Sequence, residues 1–266
     1  MARLRETDAA ARRDSDQSKD FLEALARGLS VMTVFDAEHR QMTMADVARA
    51  VDLPRATVRR TLYTLTCLGY VETNGKLYRL TPRILRLAAA YLGSSQVGTV
   101  LQPVCDELCR TLDEACSAAV LDGRDTVMVA HASPSRSLAV APSIGFRLPA
   151  YCTALGRVLL ASLKDGALSD FLAEVEPRAV TPSTITEPEA LRAAILQVRG
   201  QGFSLVDQEA EMGFRSIAVP IRRHDGSVVA ALNIGSRIER ASPDDMRDRF
   251  LPALANAAKA VQDQLI

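Results

Sequence analysis

The strongest constraint on the fold is a three-residue break, Asp52-Leu53-Pro54, between two short stretches of helical periodicity. Upstream, Thr43 precedes Met44-Ala45-Asp46, the order of an N-cap residue followed three positions later by a carboxylate. Val47, Ala48 and Val51 then share one face of the helix that starts there. Downstream, Val58, Leu62 and Leu65 recur at i, i+4 and i+7 and predict a second helix turned inward on that side. Two helices joined so tightly must cross steeply, so the first half of the later one protrudes. That half carries Arg55, Thr57, Arg59, Arg60 and Tyr63, and no Asp or Glu occurs between Asp52 and Glu72. A segment that must lie close to phosphates has this composition.

The flanks fit the same module. An earlier helix is expected from about Ser18, with Leu22, Leu25, Leu29 and Met32 at three- and four-residue spacing up to Phe35. Two short strands are expected over 70–73 and 76–80, with Asn74-Gly75 supplying the positive φ angles of a tight hairpin. This hairpin is a wing, and Lys76 and Arg79 on it are candidate phosphate contacts. The net charge of zero hides an asymmetry: 11 Lys and Arg face 7 Asp and Glu over 18–92, whereas 17 face 21 over 93–266. The expectation is a winged helix-turn-helix over 18–80 that binds double-stranded DNA through Thr43, Arg55, Thr57, Arg59, Arg60, Tyr63, Lys76 and Arg79. Residues 1–17 show no apolar period and are expected to be a flexible arm. One recognition helix reads only a few base pairs, so a palindromic operator and a homodimer or tetramer are expected. The linker helix over 81–95, apolar at Ile84, Leu85, Leu87, Ala88 and Tyr91, offers a surface for a partner.

Beyond residue 96 the period changes. After a helix over 100–113, β-branched runs at 117–121, 126–132, 216–221 and 228–234, with Asp122-Gly123 and Asp225-Gly226 as turns, predict an antiparallel sheet. Helices are expected over 155–163, 165–175, 187–199 behind a capping box from Thr186 to Glu189, and 244–265. The fold class is α+β, with 96–266 as an effector-binding and oligomerisation domain. No apolar run is long enough to span a bilayer and no secretory h-region opens the chain, so a cytoplasmic protein without a membrane partner is expected. The five cysteines make no CxxC pair and the three histidines are scattered, which predicts no metal and no cofactor. An enzyme is the rival class, with Cys152 as a nucleophile served by His131, but GxSxG, HExxH and P-loop motifs are missing. A third reading makes the second domain a dimerisation module alone.

The segments DFLEALARGLSVMTVF, TMADVARAVDLPRATVRRTLYTLTCLGYVE and LTPRILRLAAAYL resemble the IclR-type regulators, as do GFRLPAYCTALGRVLLA, GFSLVDQEAEMGFRSIAVPI and GSVVAALNI further on. RLPAYCTALGR with TPRILRLAAAYL most resembles the branch regulating aromatic acid breakdown through protocatechuate, 4-hydroxybenzoate and β-ketoadipate. The resemblance implies a GAF-like sheet flanked by helices, and effector contacts at Ala154, Leu155, Val206, Ser216, Asn233 and Gly235. Val206 and Asn233 stand where relatives binding small polar acids often carry Asp and Ser, which favours a larger, partly apolar ligand. The helix beginning near Ala154, capped by Thr153, offers N–H groups to an anion. Arg147 and Arg215 are candidates for pairing a ligand carboxylate, with a structural ion pair as the alternative. The expected effector is a small carboxylate such as an aromatic acid or β-ketoadipate.

Overall fold

The computed structural model describes residues 20–36, 38–94, 96–134 and 143–265, so the arm expected over 1–17 lies outside the described residues. The chain divides into two compact units, one ending at Tyr91 and the other beginning at Leu92.

The first unit contains α1 (Glu23–Met32), β1 (Met42–Thr43), α2 (Met44–Val51), α3 (Arg55–Cys67), β2 (Val71–Thr73), β3 (Leu77–Leu80), a 3-10 turn (Pro82–Ile84) and α4 (Leu85–Ser94). The boundary between units therefore falls inside the helix read as a linker. At the start of α2 the Thr43 hydroxyl accepts the Asp46 N–H at 3.2 Å, and the Asp46 carboxylate accepts the Thr43 N–H at 3.3 Å. Bonds from Thr43 hold the Asp46 carboxyl below its ordinary pKa. α2 stops because Asp52 turns left-handed, φ 53°, and the Leu53 N–H reaches back to the Ala48 carbonyl. α3 begins after Pro54 and ends on Gly69, φ 76°, where the Gly69 and Tyr70 N–H groups bond the carbonyls of Thr66 and Leu65. Val31, Met42, Val47, Val51, Val58, Leu62, Leu65 and Val71 form the core. Burying side chains of this size stabilises by about 1.5–3 kcal/mol each.

Two details differ from the sequence expectation. β1 pairs with β3 and makes the wing a three-stranded sheet, order β1-β3-β2. In the hairpin, the Asn74 N–H bonds the Leu77 carbonyl, so Gly75, φ 92°, and Lys76 are the turn residues. Only glycine takes the positive φ there. Asn74 contributes through its side-chain oxygen, which accepts the N–H groups of Lys76 and Leu77.

The second unit opens with α5 (Gln96–Leu112), followed by β4 (Ala115–Asp122), β5 (Asp125–Ala132), β6 (Arg147–Pro149) and α6 (Ala154–Ala161). Next come α7 (Asp165–Glu174), α8 (Pro188–Gln201), β7 (Ser204–Asp207), β8 (Phe214–Arg222), β9 (Val228–Arg237) and α9 (Leu251–Ala260). The six strands form one antiparallel sheet, order β6-β5-β4-β9-β8-β7. One core lies between the sheet and α5 with the C-terminal helix, built on Leu101, Cys105, Val129, Ile217, Leu232, Ile234 and Phe250. The other lies between the opposite face and α6 with α8, built on Ala119, Leu155, Val158, Leu191, Ile195, Val206, Ala218 and Ala231. We call the α6 side the inner face. α8 is capped by the Glu187 carboxylate, which accepts the Ala190 N–H at 2.7 Å, and not by Thr186 as the sequence suggested. Ahead of α9 the helix widens to a π turn, Met246–Phe250, where the Leu251 N–H reaches the Met246 carbonyl. Pro252, which has no N–H, follows directly. Gly156 lets α6 approach the Ala150–Cys152 turn, since a Cβ there would lie 2.1 Å from the Ala150 carbonyl oxygen.

Candidate functional site

In the first unit, Arg55, Arg59, Arg60 and Tyr63 are exposed along α3, with Tyr63 at 72% of full exposure, and Thr57 is half-buried. Lys76 stands at the tip of the wing. Arg79 is exposed on β3 but is ion-paired with Glu72 of β2, so its charge is partly answered within the protein. Thr43 is committed to the α2 cap, where its hydroxyl also donates to the Asp46 carboxylate at 2.6 Å. Arg83 bonds the Leu68 carbonyl and stacks 5.8 Å over the Tyr70 ring, which fixes the end of α3 to the chain leaving the wing. The cationic helix and the wing thus rise from one rigid base.

In the second unit, directly paired residues share a face of the sheet, so register decides which side chains can meet. Val206 pairs with Ser216, and Ser216 with Gly235. Ser204 pairs with Ala218, Ala218 with Asn233, Asn233 with Ser117 and Ser117 with His131. These two adjacent rows run across the inner face, below α6 with Ala154 and Leu155. Four of the expected effector positions, Val206, Ser216, Asn233 and Gly235, fall in them. The Phe214 ring covers Gly235, where a Cβ would lie 2.3 Å from it.

Arg215 and Arg147 do not join that face, and this corrects the expectation drawn from their motifs. Successive strand residues point to opposite sides, so Arg215 faces away from Ser216. It grips Asp207 with two nitrogens at 3.2 and 2.9 Å and donates to the Ala241 carbonyl at 2.6 Å. Arg147, paired with Val127 on the outer side, bonds Asp122 at 2.6 Å and Asp125 at 3.3 Å. Both are structural ion pairs.

Arg157 of α6, absent from the sequence-based set, anchors the helix over that face. It meets Glu209 through two bonds of 2.7 and 2.6 Å, with both side chains over nine-tenths buried, and also donates to the Tyr151 carbonyl. Glu209 in turn accepts the Ile185 N–H. Thr153 caps α6 by accepting the Gly156 N–H at 3.0 Å. The first two N–H groups of α6, on Ala154 and Leu155, have no acceptor inside the helix.

His131 and Ser117 lie on the same face, next to Asn233 in the row. Ser117 Oγ lies 2.9 Å from His131 Nδ1, and the Ser117 N–H donates to Asn233 Oδ1 at 3.1 Å. His131 Nε2 and Ser204 Oγ, at the two ends of one row, are buried polar atoms without a partner among the described residues. Burial lowers the His131 pKa. Cys152 lies 3.8 Å from the Pro149 carbonyl, and the His131 Nδ1 is taken up by Ser117, so a Cys152–His131 pair is not assembled. Among the described residues no group of His, Cys, Asp or Glu could hold a metal, and no helix is long and apolar enough to cross a membrane.

The chain matches two family models, the IclR helix-turn-helix domain over residues 24–75 and the bacterial transcriptional regulator IclR C-terminal domain over residues 89–263. It is 43% identical over 247 residues to the Pca regulon regulatory protein of Pseudomonas putida, covering 92% of this chain and 85% of that one. It is 32% identical over 252 residues to the p-hydroxybenzoate hydroxylase transcriptional activator of Acinetobacter baylyi, covering 93% of each. Among solved structures, an IclR homolog from Microbacterium hydrocarbonoxydans complexed with 4-hydroxybenzoate superimposes with a TM-score of 0.77 at 26% identity, over 91% of this chain and 99% of that one.

Removing Glu209 leaves Arg157 charged and buried without a counter-ion. Glu209→Ala is therefore expected to lower the stability of the full chain by about 3–5 kcal/mol in chemical denaturation. A loss below about 1 kcal/mol would show that the pair does not hold α6 in place.

Proposed function

Because the chain belongs to the IclR family of bacterial transcriptional regulators, we propose that it binds its operator through α3 and the wing and answers to an aromatic acid held on the inner face of the second unit. Arg55, Thr57, Arg59, Arg60 and Tyr63 enter the major groove, where arginine reads guanine by a bidentate bond. Lys76 and Arg79 contact phosphate, and Thr43 positions α2 against the backbone. The protein acts by binding and not by turnover, in the cytoplasm.

The observation that carries the effector reading is the convergence of Val206, Ser216, Asn233 and Gly235 on two adjacent rows beneath the start of α6. Small and polar side chains among an alanine-rich surface suit a flat ligand with a polar rim. Ala154 and Leu155 supply N–H groups to its carboxylate, and Leu155 with Val206 supplies the apolar wall. The relatives that regulate the Pca regulon and p-hydroxybenzoate hydroxylase, and the homolog that holds 4-hydroxybenzoate, support this ligand class.

Dimerisation supplies the second recognition helix. Leu22, just ahead of α1, and Leu25 and Leu29 on it are exposed at 67, 60 and 50%, and Leu85, Leu87 and Tyr91 on α4 at 63, 52 and 48%. The leucines expected to anchor α1 thus lie outside its core, which it reaches through Val31. So much exposed apolar surface on these two helices suits a second copy of the chain.

Arg59→Ala is expected to weaken specific operator binding by about 1–3 kcal/mol in a salt-controlled titration, and an unchanged affinity excludes α3 as the reading element. Sedimentation at micromolar concentration is expected to give a dimer or tetramer; a monomer that binds the operator fully contradicts the assembly. Calorimetry with 4-hydroxybenzoate, protocatechuate and β-ketoadipate is expected to find a ligand whose binding Ser216→Leu abolishes. If none binds, the effector class is wrong; if Ser216→Leu binds as well as the parent, the site is wrong.

A further inference from the structure

His131 reaches the inner face only because of an irregularity in β5. Ala118 of β4 pairs with Ala130, but the next residue, Ala119, pairs with Met128, so Val129 is the extra residue of a bulge. Without it, strict alternation from Met128 would send the His131 side chain to the opposite face. The bulge places it level with Ser117 and Asn233 instead.

Three contacts then fix the ring. Gln102 of α5 takes both backbone groups of His131, donating to its carbonyl at 2.9 Å and accepting its N–H at 3.1 Å. The β6 pairing covers only Asp125 to Val127, so it does not reach His131, and Gln102 serves as the missing strand. Ser117 Oγ holds Nδ1, and Ser117 is itself aligned by Asn233 through its N–H. Nε2 is left buried and without a partner among the described residues. A buried polar atom in so well supported a group is costly unless something bonds it. Burial lowers the pKa of the ring, which favours its neutral form. A neutral imidazole with Nδ1 engaged presents either a donor or an acceptor at Nε2, since the Ser117 hydroxyl can take the complementary role. That matches a hydroxyl group, which also gives and accepts.

We propose that His131 is a specificity-determining residue of the effector site, whose Nε2 bonds a ring hydroxyl of an aromatic acid. This rests on the effector reading above. The carboxylate lies towards the α6 N-terminus and the hydroxyl at the β5 end of the row, so benzoates lacking the hydroxyl leave Nε2 unsatisfied. A site built around a hydrogen bond rejects the analogue without it more strongly than an apolar site does.

The test is calorimetry of the full chain with 4-hydroxybenzoate and benzoate, on the parent protein, His131→Phe and His131→Gln, each checked by thermal melting. The parent is expected to prefer 4-hydroxybenzoate by about tenfold, the equivalent of one good hydrogen bond. His131→Phe is expected to reduce that preference to about twofold or less, and His131→Gln to restore part of it. A parent that binds both acids equally, or a preference unchanged in His131→Phe, overturns the role of His131 and leaves the effector site standing. If the parent binds neither acid, this inference falls, and the effector reading falls with it only when protocatechuate and β-ketoadipate also fail to bind.

Discussion

The second unit depends on one buried ion pair. Arg157 lies on α6, the helix that covers the inner face of the sheet, and Glu209 lies on the loop between β7 and β8. Bringing two charges out of water costs several kcal/mol apiece, and only a paired geometry with every remaining site bonded offsets it. Here the two guanidinium–carboxylate bonds, the Tyr151 carbonyl and the Ile185 N–H provide that geometry. Thr181 and Thr184 bond the Glu209 carbonyl as well, so the loop is held through backbone and side chain. The pair ties α6 to the β7–β8 loop, and the apolar contacts of α6 with the sheet complete the roof over Ser216 and Asn233.

The DNA-binding unit solves a different problem, which is to expose arginines on a helix that must not move. α3 shows Arg55, Arg59 and Arg60 to solvent because Val58, Leu62 and Leu65 occupy its other side. Both its ends are defined by backbone chemistry: the left-handed Asp52 and Pro54 before it, and Gly69 with Arg83 on the Leu68 carbonyl after it. The recognition surface is rigid at its base and polar at its edge.

Much of this was legible in the sequence. Helices with a clear 3.6-residue period, the Thr43–Asp46 cap and the two strand pairs closed by Asp-Gly turns needed only local rules. β1, β6 and β7 escaped because two to four residues are too few to show alternation, and β6 includes a proline. The leucines of α1 misled because periodicity marks an apolar face without saying what covers it. In the site, Ser216 and Asn233 came from family motifs, whereas Arg147 and Arg215 were placed by motif proximity and failed on strand parity. His131 was read only as a partner for Cys152, and its place beside Ser117 and Asn233 could not be found from sequence: Asn233 is distant along the chain, and the bulge at Val129 that aligns the row has no local signature. Arg157 in TALGR had a signal, a charge within the apolar run LGRVLLA, which demands a buried partner.

In the proposed function, an aromatic acid on the inner face and operator DNA on α3 are linked ligands of one protein. Linkage makes this quantitative, because the factor by which the acid changes DNA affinity must equal the factor by which DNA changes affinity for the acid. The direct measurement is the affinity of the full-length protein for 4-hydroxybenzoate with and without saturating operator, alongside its operator affinity with and without saturating acid. Two equal factors of about 5 to 150 are expected, the range typical of such coupling. Tight binding of both ligands with both factors equal to one would contradict it.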